Sequence, residues 1–330
     1  MPSGLKHVPP LPARREGARA VSSGLIRARG RDLLVSGRRA RLHGGMLLPA
    51  LLASFLANLP GADVDHAADD RAIFARLEKA TAELAEGGKS PLTAAQRLEQ
   101  CKRAQTTKVA FRAPAKETLG GEETYRRAAA AAVLIGSAYK CDKCTRWHNS
   151  LASGVVVDPD GVVATNHHVA AGANGEAMGV LTADGRFFPV TEVLAANKDR
   201  DVALLRVAGK GLAALPLRDD AGAGAPIYCY SHPANSFGCL SEGVIARYCR
   251  LPGERNGAVF MQITADYARG SSGGPILDRE GNLIGLVSST SPVYYDSPAG
   301  AKDGKAAAPN LQMVRHNCVT ARAIRELVAR

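Results

Sequence analysis

Beyond its first 45 residues, this 330-residue chain has almost no imbalance of charge. Ten basic residues there (Lys6, Arg14, Arg15, Arg19, Arg27, Arg29, Arg31, Arg38, Arg39 and Arg41) stand against Glu16 and Asp32. That segment carries +8 of the formal +11, which leaves +3 for residues 46–330. Aromatic residues are scarce as well, at 5% of the chain. No basic stripe with interleaved aromatics runs through the body, so the means to pair with phosphates and stack on bases is missing, and no nucleic-acid partner is expected. A long apolar run is also lacking. The best stretch, Met46–Leu59, falls short of the ~20 apolar residues of a membrane helix, so no stable membrane span is expected. What remains, a chain 46% hydrophobic, can bury a sizeable core in one large or two small domains.

A basic flank, the short apolar run Met46–Leu59 and small residues around Gly61 and Ala62 together have the pattern of a secretory signal. Residues 1–62 are therefore expected to be a leader, and the protein to be exported, periplasmic or secreted. Two other readings stay open: Met46 as the true start, or the run as a short buried helix. Residues 63–124 are rich in Ala, Glu and Arg, with helical spacing at Ile73, Leu77 and Leu84 and again at Leu98 and Cys101. Gly87–Pro91 breaks this pattern, with Ser90 suited to start the second helix, and Pro114–Gly121 ends it. Two modest helices are expected, acting as a linker, a pro-segment or a packing appendage, with no residue of evident chemistry.

From Ala128 the texture changes to short Val/Ile/Leu runs between Gly, Asp and Pro. Candidate strands are 131–135, 154–157, 162–164, 190–195, 202–207, 227–230, 243–248, 258–263 and 283–287, with a last one near 310–315. Asp158–Gly161 and Asp278–Gly281 have the composition of hairpin turns. Short strands at this density predict an all-β sandwich or pair of barrels, closed by a helix over 319–328.

Within the body, Ala265–Leu277 contains Gly270-Ser271-Ser272-Gly273-Gly274-Pro275. Glycines around a serine permit a tight turn that exposes one hydroxyl and aims successive N–H groups at one point, as acyl transfer requires. The plainer reading is a Gly-rich hairpin with an incidental serine. A serine hydroxyl near neutral pH is a poor nucleophile and needs an imidazole base, which in turn needs a carboxylate to orient it. Thr165-Asn166-His167-His168-Val169 places histidines after a strand, and Asp201-Val202-Ala203-Leu204-Leu205 places a carboxylate at the entrance of another.

The order His168, Asp201, Ser272 and these three motifs resemble the chymotrypsin-fold (trypsin-like) serine peptidases, and more closely the HtrA/Deg-type protease domain. The resemblance covers roughly residues 125–330. It implies two packed six-stranded antiparallel β-barrels, the first over about 128–210 and the second over about 220–316. It also implies Ser272 as nucleophile, His168 as general base and then acid, Asp201 as orienting carboxylate, and the N–H groups of Gly270 and Ser272 as oxyanion hole. His167 and Asp199 are the competing histidine and carboxylate. Asp266, six positions before Ser272, matches the carboxylate at the base of the trypsin pocket. With Ser288 and Thr290 it is a candidate substrate-binding residue, or else a structural one bonded to its own loop.

The chain also departs from the pattern. Ser271 stands where zymogen-type relatives have an aspartate, so activation by a new N-terminus is not expected. Val169 replaces the cysteine of their disulfide. The chain stops at Arg330, so no PDZ domain is expected. The function implied is a serine endopeptidase acting on protein or peptide substrates without a cofactor. The alternative is a catalytically silent module of the same fold that binds a protein or peptide.

Seven cysteines suit an exported protein, and an odd number leaves at least one unpaired if all others bridge. Cys141 and Cys144, with His148, have the spacing of a small disulfide loop or of half a zinc site that would need a further ligand, conceivably Cys318. A disulfide or free thiols are expected ahead of a metal. No βαβ pattern surrounds the pair, so redox catalysis is not expected. Cys229, Cys239 and Cys249 fall in the second barrel and are candidates to pair with one another.

Overall fold

The computed structural model describes residues 67–329 except 104–105, 142, 173–174, 252–255 and 296–309. The expected leader, residues 1–62, with the apolar run Met46–Leu59, therefore lies outside the described residues. Among those described, no helix is long and apolar enough to cross a membrane.

The two Asp/Gly turns form as their chemistry dictates. In each, the first aspartate accepts from the N–H two residues on (Asp158 from Asp160 at 2.8 Å, Asp278 from Glu280 at 3.0 Å), and a glycine at positive φ, Gly161 or Gly281, closes the reversal. Such turns set the register of alternating apolar strands, which wrap into two closed antiparallel barrels. The first contains β1 (Ala132–Lys140), β2 (Trp147–Asp158), β3 (Val162–Thr165), β4 (Ala177–Thr182), β5 (Phe187–Asn197) and β6 (Val202–Val207), in the order β1-β2-β3-β6-β5-β4. The second contains β7 (Pro226–Ser231), β8 (Cys239–Arg250), β9 (Val259–Ile263), β10 (Pro275–Leu277), β11 (Leu283–Tyr294) and β12 (Leu311–Thr320), in the order β10-β11-β12-β9-β8-β7. Ile135, Val163 and Leu205 are among the residues filling the first barrel, and Ile227, Met261 and Ile276 among those filling the second. A third cluster joins the barrels through Val155, Leu204, Phe260 and Leu286.

Two strands were not foreseen. β4 is interrupted by Gly179, whose missing Cβ is required because the Phe187 ring stands 2.2 Å from where it would be. β10 is three residues long and follows the serine turn directly. The Ala-rich stretch before β1 is helix α3 (Gly121–Ala131), so the strand begins at Ala132. At the C-terminus, Val319 and Thr320 stay paired with Leu286 and Gly285 in β12. That shortens the last helix, here α5, to Ala321–Arg325 with Thr320 as its cap.

Helices α1 (Asp70–Glu86) and α2 (Ala94–Lys102) form where helical spacing predicts them. α2 starts later than Ser90, at Thr93, which forms a capping box with Gln96. Both pack on the first barrel. Leu77, fully buried, occupies the space left by Gly136 of β1, where a Cβ would lie 2.8 Å from the leucine Cγ. Gln100 of α2 accepts from the Val193 N–H at 2.7 Å. Arg97, 1% exposed, donates from Nε to the Ala170 carbonyl at 2.8 Å and from Nη2 to those of Gly172 (2.8 Å) and Gly175 (3.2 Å). These contacts make α1 and α2 a packing layer of the first barrel.

Leu77→Ala is therefore expected to destabilise the whole chain by about 2–5 kcal/mol, as for any fully buried leucine. A lower urea midpoint for barrel unfolding, read by far-UV circular dichroism, checks this.

Candidate active site

Three loops meet at the interface of the two barrels. The first follows β3, where Asn166 caps the single turn α4 (His167–Ala170). The second is the turn Lys198–Asp201 at the entrance of β6, closed by the Asp201 N–H on the Lys198 carbonyl at 3.2 Å. Asp201 takes a left-handed conformation, φ +54°, which a short polar side chain tolerates. The third is the serine turn between β9 and β10.

The first two are locked together. Both oxygens of Asp201 lie 3.0 Å from His168 Nδ1, and the His168 N–H donates to Oδ1 at 3.1 Å. Asn166 Nδ2 donates to the Asp201 carbonyl at 3.0 Å. Ser288, reaching across from the second barrel, donates its hydroxyl to Asp201 Oδ2 at 2.6 Å. Burial pushes the Asp201 carboxyl up, but the hydrogen bonds and charge of His168 and the bond from Ser288 outweigh it and hold the group below the usual carboxylate range. An ionised acceptor at Nδ1 requires that nitrogen to carry the proton, which leaves a lone pair on Nε2.

In the serine turn Gly270 and Gly273 have φ of +97° and +86°. A Cβ on Gly273 would lie 2.1 Å from the Ser153 carbonyl oxygen, so only glycine fits. The Ser271, Gly273 and Gly274 N–H groups are all bonded, to the carbonyls of Ala268, Val287 and Ser271. The Gly270 and Ser272 N–H groups have no partner among the described residues. Ser153 of β2 ties this turn to the first barrel: its N–H donates to the Ser272 carbonyl at 2.7 Å and its hydroxyl to the Gly270 carbonyl at 3.1 Å. Ser272 Oγ donates to the Ser288 carbonyl at 3.3 Å and makes no hydrogen bond to His168. His168, Gly270 and Ser272 line one cavity of about 320 Å³, together with Ala152, Met178 and Arg269.

His168, Asp201, Ser272 and the Gly270 N–H thus come together. The competitors stand apart. His167 makes no bond to Asp201, and burial lowers its pKa. Asp199 accepts from Asn256 instead. The substrate-binding candidates do not line the cavity. Ala265 and Tyr267 turn inward to the core, which sends Asp266 outward, 93% exposed and 3.6 Å from His316. Ser288 is buried with its hydroxyl committed to Asp201, and Thr290 is exposed. Sequence reasoning gave no role to Ser153 or Arg97. Ser153 stands just before the predicted strand 154–157, and nothing in its spacing signals a bond across the barrels.

All seven cysteines are free, so Cys229, Cys239 and Cys249, the candidates to pair with one another, do not do so. Burial pushes the Cys229 thiol up to about 12. Cys318 is buried in the second barrel and makes no part of the cluster formed by Cys141, Cys144 and His148, the one group able to hold a metal among the described residues.

Residues 152–286 match the family model described as a trypsin-like peptidase domain. The chain is 30% identical over 145 residues to a probable periplasmic serine endoprotease DegP-like from Pseudomonas fluorescens, covering 43% of this chain and 30% of that protein. It is 28% identical over 145 residues to the serine endoprotease DegS of Haemophilus influenzae, covering 42% of this chain and 41% of that one. With the chloroplastic protease Do-like 1 of Arabidopsis thaliana it shares 32% over 160 residues, 46% and 35% of the two chains. The chain spans well under half the length of these curated relatives. Among solved structures, the HtrA-type protease AlgW with decapeptide superposes with a TM-score of 0.50 at 20% identity, over 63% of this chain and 66% of that one, a likeness of fold.

The lowered Asp201 pKa has a defined consequence for stability. Its contribution is complete above the unfolded-state value of about 3.9 and is lost as pH falls through the lower folded-state value. Asp201→Asn, which tolerates the same backbone conformation, is expected to have a lower urea midpoint than wild type at neutral pH. The two midpoints are expected to converge as pH is taken below about 4.

Proposed function

We propose that this chain is a serine endopeptidase, a reading supported by the match of residues 152–286 to the trypsin-like peptidase family model and by the endoprotease names of its relatives. The observation that carries this reading is the buried Asp201 bonded to His168 Nδ1, with His168, Gly270 and Ser272 lining one cavity. Ser272 leaves the Ser288 carbonyl, gives its proton to His168 Nε2 and attacks the scissile carbonyl. The Gly270 and Ser272 N–H groups receive the developing oxyanion. Asp201 holds the imidazole in the tautomer that accepts at Nε2 and stabilises the imidazolium. His168 then protonates the leaving amine, and water, activated by the same imidazole, hydrolyses the acyl-enzyme. The substrate is a protein or peptide, as the endoprotease names of the relatives suggest, and the periplasmic label on the DegP-like relatives supports export.

One observation favours the silent-module reading instead: the Ser272 hydroxyl rests on Ser288 and not on His168. Labelling with a fluorophosphonate probe separates the two. The peptidase reading expects labelling of the wild type, none of Ser272→Ala, and a fall in peptidase rate on an unfolded protein substrate of roughly 10⁴-fold or more for Ser272→Ala. An unlabelled, inactive wild type would overturn the peptidase reading and favour the binding module.

A further inference from the structure

The tip of the β1–β2 hairpin gathers three donor side chains that the proposed reaction does not use. The ladder pairs Lys140 with Trp147 and Tyr139 with His148. Cys141 leaves the ladder just after Lys140, and the turn brings Cys144 back so that the two sulfurs are 3.2 Å apart. His148 Nε2 lies 3.3 Å from Cys141 Sγ and 2.9 Å from Cys144 Sγ. All three side chains are half-buried. The three atoms form a triangle, with the imidazole nitrogen over both sulfurs.

We propose that Cys141, Cys144 and His148 form a zinc site that staples this hairpin, with the fourth coordination position open to solvent. Soft thiolates and an imidazole are the donor set that zinc takes in tetrahedral sites, at about 2.3 Å to sulfur and about 2.0–2.1 Å to nitrogen. Those lengths imply triangle edges of ~3.7 Å between sulfurs and ~3.5 Å from sulfur to nitrogen. The observed edges need to open by only about half an ångström to admit the ion, a small movement for half-exposed side chains at a hairpin tip. A disulfide would instead need the sulfurs to close to about 2.05 Å, and it would give His148 no part.

The surroundings favour the ligand state. Binding converts both thiols to thiolates and releases their two protons to solvent, so the two thiolate charges balance the dication. Lys140, Lys143 and Arg146 supply positive charge along the same turn. The Tyr139 ring lies against the imidazole, centroids 5.6 Å apart and planes at 30°, which limits its rotation. Trp147, next to His148, donates to Glu86 of α1 at 2.9 Å and carries Lys140 over its ring, fixing the base of the hairpin. β2 then runs on to Ser150, Leu151 and Ala152, which line the cavity of His168 and Ser272. An ion at the tip would pin the strand that enters the cleft.

The test is titration of the reduced full-length protein with Co²⁺, then displacement by Zn²⁺. One cobalt per chain is expected, with thiolate charge-transfer absorption and tetrahedral d–d bands. Cys141→Ser and Cys144→Ser should abolish these bands, whereas Cys249→Ser, a half-buried thiol outside the cluster, should keep them. His148→Gln should weaken cobalt binding by more than the roughly 10–100-fold that follows loss of an outer-shell partner. Should a cysteine variant not fold, alkylation mapping of the wild type decides: zinc should shield Cys141 and Cys144 from iodoacetamide, and a chelator should restore labelling. A wild type without the bands, bands that survive Cys141→Ser, or a Cys141–Cys144 disulfide that forms in air from the reduced protein as fast with excess zinc as without it would each overturn the proposal. None of these readouts depends on peptidase activity, so the site and the enzyme reading can fail separately.

Discussion

The hydrogen bond from Ser288 to Asp201 is the contact on which the rest of this structure depends. Asp201 and His168 belong to the first barrel, Ser272 and Ser288 to the second, and a serine–imidazole pair works only when held within a fraction of an ångström. At 2.6 Å the bond joins the barrels at the carboxylate itself. Ser153 makes the reciprocal connection, reaching from the first barrel to the backbone of the serine turn. Two polar bridges running in opposite directions therefore set the offset between two hydrophobic cylinders whose own packing is non-directional. Leaving either bridge unmade would bury an unpaired polar group, a penalty that keeps both in register.

Much of this was legible from the residues. Hairpin turns announce themselves through Asp and Gly because the aspartate side chain and the left-handed glycine perform the reversal locally. The His168, Asp201 and Ser272 motifs were legible because the chemistry demands those residue types beside those turns. The selection of His168 over His167 followed from the resemblance, in which His167 holds the variable position of the motif, and that of Asp201 over Asp199 from the apolar run that Asp201 abuts. β4 and β10 were hidden for different reasons: β4 carries a glycine that only the Phe187 ring explains, and β10 is too short to show a period. Asp266 illustrates the limit of reading by position. Its distance from Ser272 matched a pocket carboxylate, yet the strict alternation imposed by buried Ala265 and Tyr267 turns it to solvent.

The helical segment before the barrels was the part least open to such reasoning. Its periodicity located α1 and α2 but not their partners, since the depression that receives Leu77 is an absence, the missing side chain of Gly136. The same holds for Arg97. An arginine at a position of apolar character on α2 looks like a solvated charge until the carbonyls of the loop after His168 are found around it.

Among the described residues that guanidinium makes no ion pair with a carboxylate, and its charge is spread over three backbone carbonyls. Burial lowers its pKa, but an arginine starts so far above neutrality that it stays a cation wherever the protein is folded. A loop anchored by a histidine or a carboxylate would loosen at some working pH. This one is held by a group that does not titrate, so the loop that carries His168 keeps the same anchor at every pH at which the barrels are folded.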